Sequence, residues 1–506
     1  MPFNKYLNLL GLLIAFYAFA GIAAASGEEV ETLPRLKPLN EVNILLSRDE
    51  PYDLDTFIDA ALIFSGTKYN NIYIGKSRIL KEVAAFREFM GAAASEGTAS
   101  AAAADTTLSP TGNPVDTPAV SAPSLAGNSP AAAATVFTSV DNPAVPTTAL
   151  TPDTAEKVLE YLHKHILRAY SEKQTKIDVL FNTGIYNCVS SAVAYMILAK
   201  SIGFTVKGVR TKDHAFCTVY AGGKGYDVET TSPYGFDPGE KKDFTDAFGR
   251  TTGYSYVPPG NYRDRNTINE KEMLALILYN RNAFLTERRD FFNAVGPAVD
   301  AYALLNNAES LERLAVSLNN TASAYGLRGE MKRGIDFLKR AESVYINKLI
   351  RDKLNENILK LYHNYVIELI KRKDFSAALT VLNNSLKENY INRPEWKNLT
   401  VYVYQVMARE TSLGRSVADA KAISRLDSDS VYLRAAEIIE KGLKAVGRDR
   451  SLLRNYEVYM HNAAVEKIKL KDYRTAERIV KAGLRVIPES SVLARDETFI
   501  KRAAGQ

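Results

Sequence analysis

The sequence predicts an α+β domain followed by a long array of α-helices. Two observations support this. Between about 151 and 260, apolar residues at helical spacing precede three strand-like segments. From about 268 to 500 the helical spacing continues without a strand-like segment, and the chain repeats its own pattern at a fixed offset.

Composition and charge are those of a packed protein. Of the 506 residues, 46% are hydrophobic and 24% are charged, and 64 Lys and Arg stand against 58 Asp and Glu. No block of like charges occurs, which argues against a nucleic-acid-binding protein. Two cysteines are too few for a disulfide framework, a Cys-rich zinc module or an iron–sulfur cluster held by this chain's own thiolates.

Residues 1–25 have the pattern of a signal peptide. Lys5 precedes a nearly uncharged apolar run from Leu7 to Ala25, and the small residues Ala23 and Ala25 fit a cleavage site. We expect cleavage on export, with an uncleaved anchor as the alternative because about 19 apolar residues can span a bilayer. The remaining chain is predicted to lie outside the cytoplasm, with no membrane span after cleavage.

The segments before the α+β domain differ sharply in composition. Residues 38–90 carry apolar side chains at helical spacing and are predicted to form a small helical unit. Residues 91–150 consist mainly of Ala, Ser, Thr, Pro and Gly and contain no Lys or Arg. Such a composition buries too little side chain to offset its conformational entropy, so we predict a disordered insertion or linker.

Within 151–260, a helix is predicted from Ala155 through Tyr170. A second helix is predicted to begin at Cys188 and to end near Gly203, which suits a left-handed cap. The Gly222-Gly223 pair predicts a tight turn between two strands. The three expected strands are Thr205–Val209, His214–Tyr220 and Gly225–Thr231.

Cys188, His214 and an acid on the next strand are the candidate catalytic residues. At the start of a helix, Cys188 would lie at the positive end of the helix dipole, which favours thiolate, and its backbone N–H could stabilise an oxyanion. His214 could accept the thiol proton and return it to a leaving group. Asp227 and Glu229 share one face of the following strand, and either could orient the imidazole.

The register of the predicted hairpin favours one of these acids. With Gly222-Gly223 at the centre of the turn, Glu229 faces Phe216 and is the diagonal neighbour of His214. Asp227 precedes Glu229 by two residues on the same strand and is therefore further from His214. We therefore expect Glu229 to orient His214, with Asp227 as the alternative if a one-residue bulge shifts the strand.

These residues also resemble the transglutaminase-like superfamily over about 155–240. The similar segments are Asn187-Cys188-Val189-Ser190-Ser191-Ala192, Asp213-His214-Ala215-Phe216 and Tyr226-Asp227-Val228-Glu229-Thr230-Thr231. The resemblance implies a papain-like core with Cys188 as nucleophile, His214 as base and Glu229 as acid, and acyl transfer on amides without a cofactor. The chain departs from the family at Glu229, where Asp is usual, and at Val189, where an aromatic residue is common.

The region 268–500 contains an internal repeat. Lys373-Asp374-Phe375 recurs 98 residues later as Lys471-Asp472-Tyr473, and His363 recurs as His461. An earlier copy, 44 residues before the first, places Gly334 against Ala378. Small residues at these positions resemble the tetratricopeptide repeat, which implies a solenoid of helix pairs that binds proteins. One more degenerate helix pair is expected near 270–305. The order of helical unit, core and repeats resembles a bacterial branch of the superfamily, which implies a bacterial periplasm or cell envelope as the location of the exported chain.

The remaining Cys and His residues are expected to be structural. Cys217 has the opposite strand parity to His214 and is predicted to pack in the core, with a Cys188–Cys217 disulfide as an open alternative. His163 and His165 lie two apart on a helix and point to different faces, so a shared metal ion is not expected. The equivalent repeat positions of His363 and His461 favour a packing role.

Two functions are predicted from these observations. The first is an exported cysteine-dependent enzyme that transfers acyl groups from amides of protein or peptide substrates, as a protease, an amidase or a transglutaminase. Its repeat domain would bind a protein partner. The alternative is a catalytically inactive scaffold in which the same domains mediate protein–protein interaction.

Overall fold

The computed structural model describes residues 33–102, 149–239, 244, 249–252, 265–415 and 430–505. The predicted signal peptide at 1–25 and most of the predicted insertion lie outside these residues. Helices make up 70% of the structure. The chain divides into two compact units, which meet in sequence at Ser317 and Leu318. In the described part of the chain, no helix combines the length and the hydropathy needed to cross a membrane.

The first unit combines helices with a small sheet. Its principal helices are α1 (Asn40–Leu46), α2 (Leu54–Phe64), α3 (Tyr69–Ala102), α4 (Pro152–Tyr161), α5 (Ile177–Thr183), α6 (Cys188–Ser201), α7 (Glu270–Glu287) and α8 (Phe291–Leu305). Its strands are β1 (Ala169–Tyr170), β2 (Ile185–Tyr186), β3 (Thr205–Arg210), β4 (Ala215–Ala221), β5 (Lys224–Val228) and β6 (Asn266–Ile268). This architecture is α+β, as the sequence predicts.

Helix α6 and the sheet form the centre of this unit. Strands β5, β4, β3 and β6 are adjacent in that order and antiparallel. Helix α6 is apolar on nearly every face, so it is buried on all sides rather than along one stripe. Alternate residues of β4, including Cys217 and Val219, are buried in the same core.

The hairpin between β4 and β5 has the expected register. Ala221 faces Lys224 and Cys217 faces Val228. Gly222 and Gly223 have φ angles of 57° and 80°, which a two-residue turn of this kind requires at both central positions. The predicted centre of the turn is therefore confirmed.

The predicted helix from Ala155 through Tyr170 is wrong at its end. Helix α4 stops at Tyr161 and continues as a single π-helical turn, Leu162–Ile166, that closes with a bond from Leu167 N–H to Leu162 O (2.8 Å). The chain then becomes extended because β1 pairs with β2, a parallel contact that local periodicity does not reveal.

The N-terminal helices belong to the same unit as the sheet. The Arg281 guanidinium of α7 donates to Phe64 O at the end of α2 (2.6 Å), and Arg35 pairs with the buried Asp300 of α8. Helix α3 continues to Ala102, beyond the residue 91 at which the sequence predicts the insertion to begin. Alanine is the strongest helix former, so an alanine-rich segment favours continuation of the helix.

Helices α7 and α8 also complete the first unit, so the boundary lies after Ser317 rather than near 268. The expected helix pair is present, but α7 packs its apolar residues into the same core as α6. Glu270 anchors its start by accepting from Lys200 Nζ (2.5 Å) and from Tyr52 N–H (2.8 Å).

The second unit is an array of α-helices. Helix α9 (Ala308–Leu327) begins in the first unit and ends in the second. The others are α10 (Met331–Val344), α11 (Lys348–Lys371), α12 (Phe375–Lys387), α13 (Arg393–Ser412), α14 (Val431–Val446), α15 (Arg450–Lys469), α16 (Tyr473–Val486) and α17 (Ser491–Ala503). From α11 onward, the helices pack around one apolar cluster of buried side chains that extends from Val366 to Ile500.

The repeat found in the sequence has a structural counterpart. Asp374 and Asp472 both cap a helix start by accepting from a backbone N–H three residues later. Lys373 and Lys471, just before them, both have positive φ angles, 63° and 57°. The α11–α12 and α15–α16 hairpins are therefore built in the same way.

Candidate active site

Cys188 is the first residue of α6, where the sequence predicts it. The preceding Asn187 accepts the Ser190 N–H at its side-chain oxygen (2.9 Å), and the Ser190 hydroxyl accepts the Asn187 N–H (2.9 Å). This reciprocal cap fixes the start of the helix. Asn187 also donates to Glu172 O (3.0 Å), so the cysteine stands on a rigid helix end with its side chain partly exposed.

His214 lies just before β4, in a tight turn closed by a bond from Thr211 N–H to His214 O (2.9 Å). Its Nε2 donates to Glu229 Oε2 at 2.5 Å, and its ring is also within hydrogen-bond reach of the Cys188 thiol. Because Nε2 is engaged by the carboxylate, Nδ1 is the ring nitrogen left for the thiol. Burial alone would lower the pKa of His214, but the Glu229 carboxylate and the Cys188 thiol raise it well above its usual value.

Glu229 is held by the turn that follows β5. The strand ends at Val228, and the Glu229 N–H turns away from the ladder to Gly235 O (2.7 Å). We call residues 229–235 the acid turn. The second carboxylate oxygen, Oε1, accepts from the N–H and the hydroxyl of Thr231 (3.1 and 2.7 Å), so both oxygens of this buried side chain are bonded.

Asp227, the alternative acid, is engaged elsewhere. It faces Thr218 in the ladder and accepts that hydroxyl at 2.9 Å. Arg265 binds it through two parallel bonds of 2.5 and 2.6 Å. The guanidinium of Arg265 also lies over the ring of Phe216, 5.2 Å from its centroid. The structure therefore places Glu229, and not Asp227, against His214.

Cys217 is fully buried beneath α6. Its thiol contacts Ala192 O at 3.5 Å, and burial raises its pKa well above the usual range. Cys188 and Cys217 are both free thiols, so the alternative of a disulfide between them does not describe this structure.

Three residues that sequence reasoning did not assign to the site contact the acid turn. His163, on the π-helical turn, donates from Nε2 to Thr230 O (3.1 Å). The Tyr186 hydroxyl reaches the next carbonyl, Thr231 O (3.4 Å), and Ser191 Oγ pairs with Thr230 Oγ1 (2.8 Å). Only the closeness of Tyr186 and Ser191 to Cys188 in the chain could have suggested them.

The two neighbouring histidines have different environments, as their spacing predicts. His163 faces the acid turn, whereas the ring of His165 stacks on Tyr161 with 4.4 Å between centroids. Among the residues that the structure describes, no group of His, Cys, Asp and Glu side chains is arranged to hold a metal ion.

A thiol at a helix start, an imidazole beside it and a carboxylate on the far ring nitrogen form the arrangement used by cysteine nucleophiles. No protein-family model matches the chain, and no curated protein is similar to it. The contacts of Cys188, His214 and Glu229 are therefore the basis on which a chemistry can be assigned.

Proposed function

We propose that the protein is a cysteine-dependent enzyme that transfers acyl groups from amide bonds of protein or peptide substrates. The observation that carries the proposal is the position of the His214 ring, between the Cys188 thiol and the Glu229 carboxylate. This is the arrangement expected of a papain-like site. We propose that the enzyme is exported, on the basis of the signal-peptide pattern at 1–25.

The first half of the reaction forms a thioester. The Cys188 thiol gives its proton to His214, and the thiolate attacks the carbonyl carbon of the amide. The Cys188 N–H is one of the first-turn groups that a helix leaves without an internal acceptor, and it can stabilise the oxyanion. As the C–N bond breaks, the His214 imidazolium donates its proton to the leaving amine.

The second half returns the enzyme to its starting state. Water or an amine gives a proton to His214 and attacks the thioester carbonyl, and His214 then protonates the departing Cys188 sulfur. Water yields hydrolysis or deamidation, and an amine yields cross-linking. Glu229 accepts from Nε2 and holds the imidazole in one orientation, so that Nδ1 remains available to the thiol.

We also propose that the helical array binds a protein partner, as stacked helix pairs commonly do. The start of α11 supports this, since the apolar Ile346 just before the helix and Leu349 in its first turn are 79% and 52% exposed. If the array were the functional part and the site inactive, partner binding would not depend on Cys188.

The test compares Cys188→Ala with Cys217→Ala. The two variants are matched because each removes one of the two thiols of the chain. Purified full-length protein would be assayed for peptide hydrolysis, for ammonia release from glutamine-containing peptides and for incorporation of a fluorescent amine into casein. We expect at least one activity that disappears in Cys188→Ala and persists in Cys217→Ala. Activity that survives in Cys188→Ala would refute the proposal, and a chain inert in all three assays would favour the scaffold.

A further inference from the structure

We propose that His163 is a positioning residue that holds the acid turn, and through it the Glu229 carboxylate, against His214. The inference rests on the proposed function, because it concerns the side chain that orients the catalytic imidazole. His163 touches none of the reacting groups itself. It acts through the backbone carbonyl of Thr230.

The first observation is the local geometry around His163. It lies in the π-helical turn at 162–166, a rare conformation that is frequent at functional sites. This turn directs the ring at the acid turn, where Nε2 donates to Thr230 O (3.1 Å). The ring also meets Tyr186 edge to face (6.4 Å between centroids, 87°), and the Tyr186 hydroxyl donates to Thr231 O. Two donors from different elements therefore bind two consecutive carbonyls.

These two carbonyls belong to the residues that hold Glu229 in place. Thr230 and Thr231 are completely buried, and Thr231 supplies the two bonds to Glu229 Oε1. Thr230 is also tied to α6, because its hydroxyl pairs with Ser191, whose Oγ in turn donates to Cys188 O (3.2 Å). The same short segment therefore connects the carboxylate to the helix that carries the nucleophile.

The protonation state of His163 fits this role. Burial lowers its pKa to about 4, against the opposing effects of the Thr230 carbonyl and the Glu229 charge. The ring is thus neutral at the pH values at which a cysteine nucleophile works, and its proton must be on Nε2 because a carbonyl can only accept. A neutral donor holds the turn without adding a charge that would compete with His214 for Glu229.

The test measures the alkylation rate of Cys188 by iodoacetamide between pH 6 and 8 in the full-length protein. Peptide mass spectrometry reads Cys188 and the buried Cys217 separately, so labelling of Cys217 reports any loss of folding. The variants are His163→Phe, which removes the donor, and His163→Gln, whose amide can replace Nε2. His163→Asn carries the same amide on a side chain that is one methylene shorter, so the amide cannot reach Thr230 O. His165→Ala is the control, because it alters the neighbouring histidine, which does not contact the acid turn.

We expect His163→Phe and His163→Asn to react at least about tenfold more slowly than wild type, since a displacement of about 1 Å can cost 100-fold. His163→Gln and His165→Ala should stay within about threefold of wild type. If His163→Phe does not fold, the Gln and Asn pair decides. If wild type, His163→Gln and His163→Asn react at equal rates while His214→Ala reacts slowly, this inference is overturned and the proposed function stands. A wild type as slow as His214→Ala would overturn the proposed function and, with it, this inference.

Discussion

His214 Nε2 lies 2.5 Å from Glu229 Oε2, although the two residues are not partners in the β-ladder. The ladder ends where Cys217 faces Val228, and Glu229 reaches the imidazole from a turn. A turn held by its own hydrogen bonds can set a carboxylate more finely than the fixed spacing of a strand. The choice of acid therefore depends on residues outside the sheet.

The two acids should respond differently to removal of their charge. We expect Glu229→Gln to lower the alkylation rate of Cys188 at pH 7 by about 100-fold or more, because the imidazole loses the charge that orients it. Asp227→Asn should change the rate less than tenfold, since Asp227 binds Arg265 instead. A larger effect from Asp227→Asn than from Glu229→Gln would show that the acid is misassigned.

Gly235 should tolerate no side chain. A Cβ at this position would lie 1.9 Å from Glu229 O, a backbone atom that cannot move without moving the acid turn. We expect Gly235→Ala to lower the free energy of unfolding of the first unit by about 2 kcal/mol or more and to slow Cys188 alkylation. The unfolding can be followed in urea by the loss of protection of buried Cys217 from a maleimide.

Gly91→Ala is the matched control for Gly235→Ala. It lies on helix α3 with nothing within 4 Å of the new Cβ, so alanine should be neutral or stabilise by up to about 1 kcal/mol. Equal effects of the two substitutions would contradict the close contact at Gly235.

The pH dependence of stability should contain a contribution from His163. Histidine titrates near 6.5 in an unfolded chain, whereas burial lowers the pKa of His163 to about 4 in the folded protein. Between these values the unfolded chain binds a proton that the folded protein does not, so stability falls as the pH drops through 6.5. The cost is about 2 kcal/mol between pH 8 and pH 5.

Urea unfolding of wild type and His163→Gln at pH 8 and pH 5, followed by circular dichroism, isolates this contribution. Groups common to both proteins cancel in the difference, so wild type should lose about 2 kcal/mol more than the variant on acidification. An identical loss in both proteins would mean that His163 titrates normally in the folded state.

The repeat unit offers a stabilising substitution. Lys471 has a φ of 57°, which costs a residue with a Cβ about 1 kcal/mol and costs glycine nothing. We expect Lys471→Gly to stabilise the second unit by about 0.5–1 kcal/mol, whereas Lys481→Gly within α16 should destabilise it by about 1 kcal/mol. The single tryptophan, Trp396, is buried in this unit and reports its unfolding by fluorescence. Destabilisation by both substitutions would contradict the repeated turn geometry.

The features predicted well from the sequence have local causes. Asn187 and Ser190 cap a helix over three residues, Gly222 and Gly223 define one turn, and the 98-residue offset marks two hairpins with the same caps. Each can be recognised without knowing what packs against it. The hairpin register placed Glu229 near His214, although the acid turn, and not the strand, holds the carboxylate.

The features that the sequence did not predict depend on contacts between separate parts of the chain. The apolar pattern of α7 predicts a helix but does not say whether it packs on the sheet or in the helical array. The contact of His163 with Thr230 joins residues 67 positions apart, and the pairing of β1 with β2 forms across the intervening α5. Such partners are decided by the packing of the complete core, and no short pattern encodes them.

The most direct test of the proposed chemistry is the pH profile of Cys188 alkylation in wild type and in His214→Ala, with Cys217 as the buried reference. An isolated thiol titrates near 8.5 and is almost entirely protonated at pH 6. We expect wild type to react readily at pH 6 and His214→Ala to react only as the pH approaches 8.5. A wild-type rate that rises only near pH 8.5 and does not depend on His214 would contradict an activated Cys188–His214 pair.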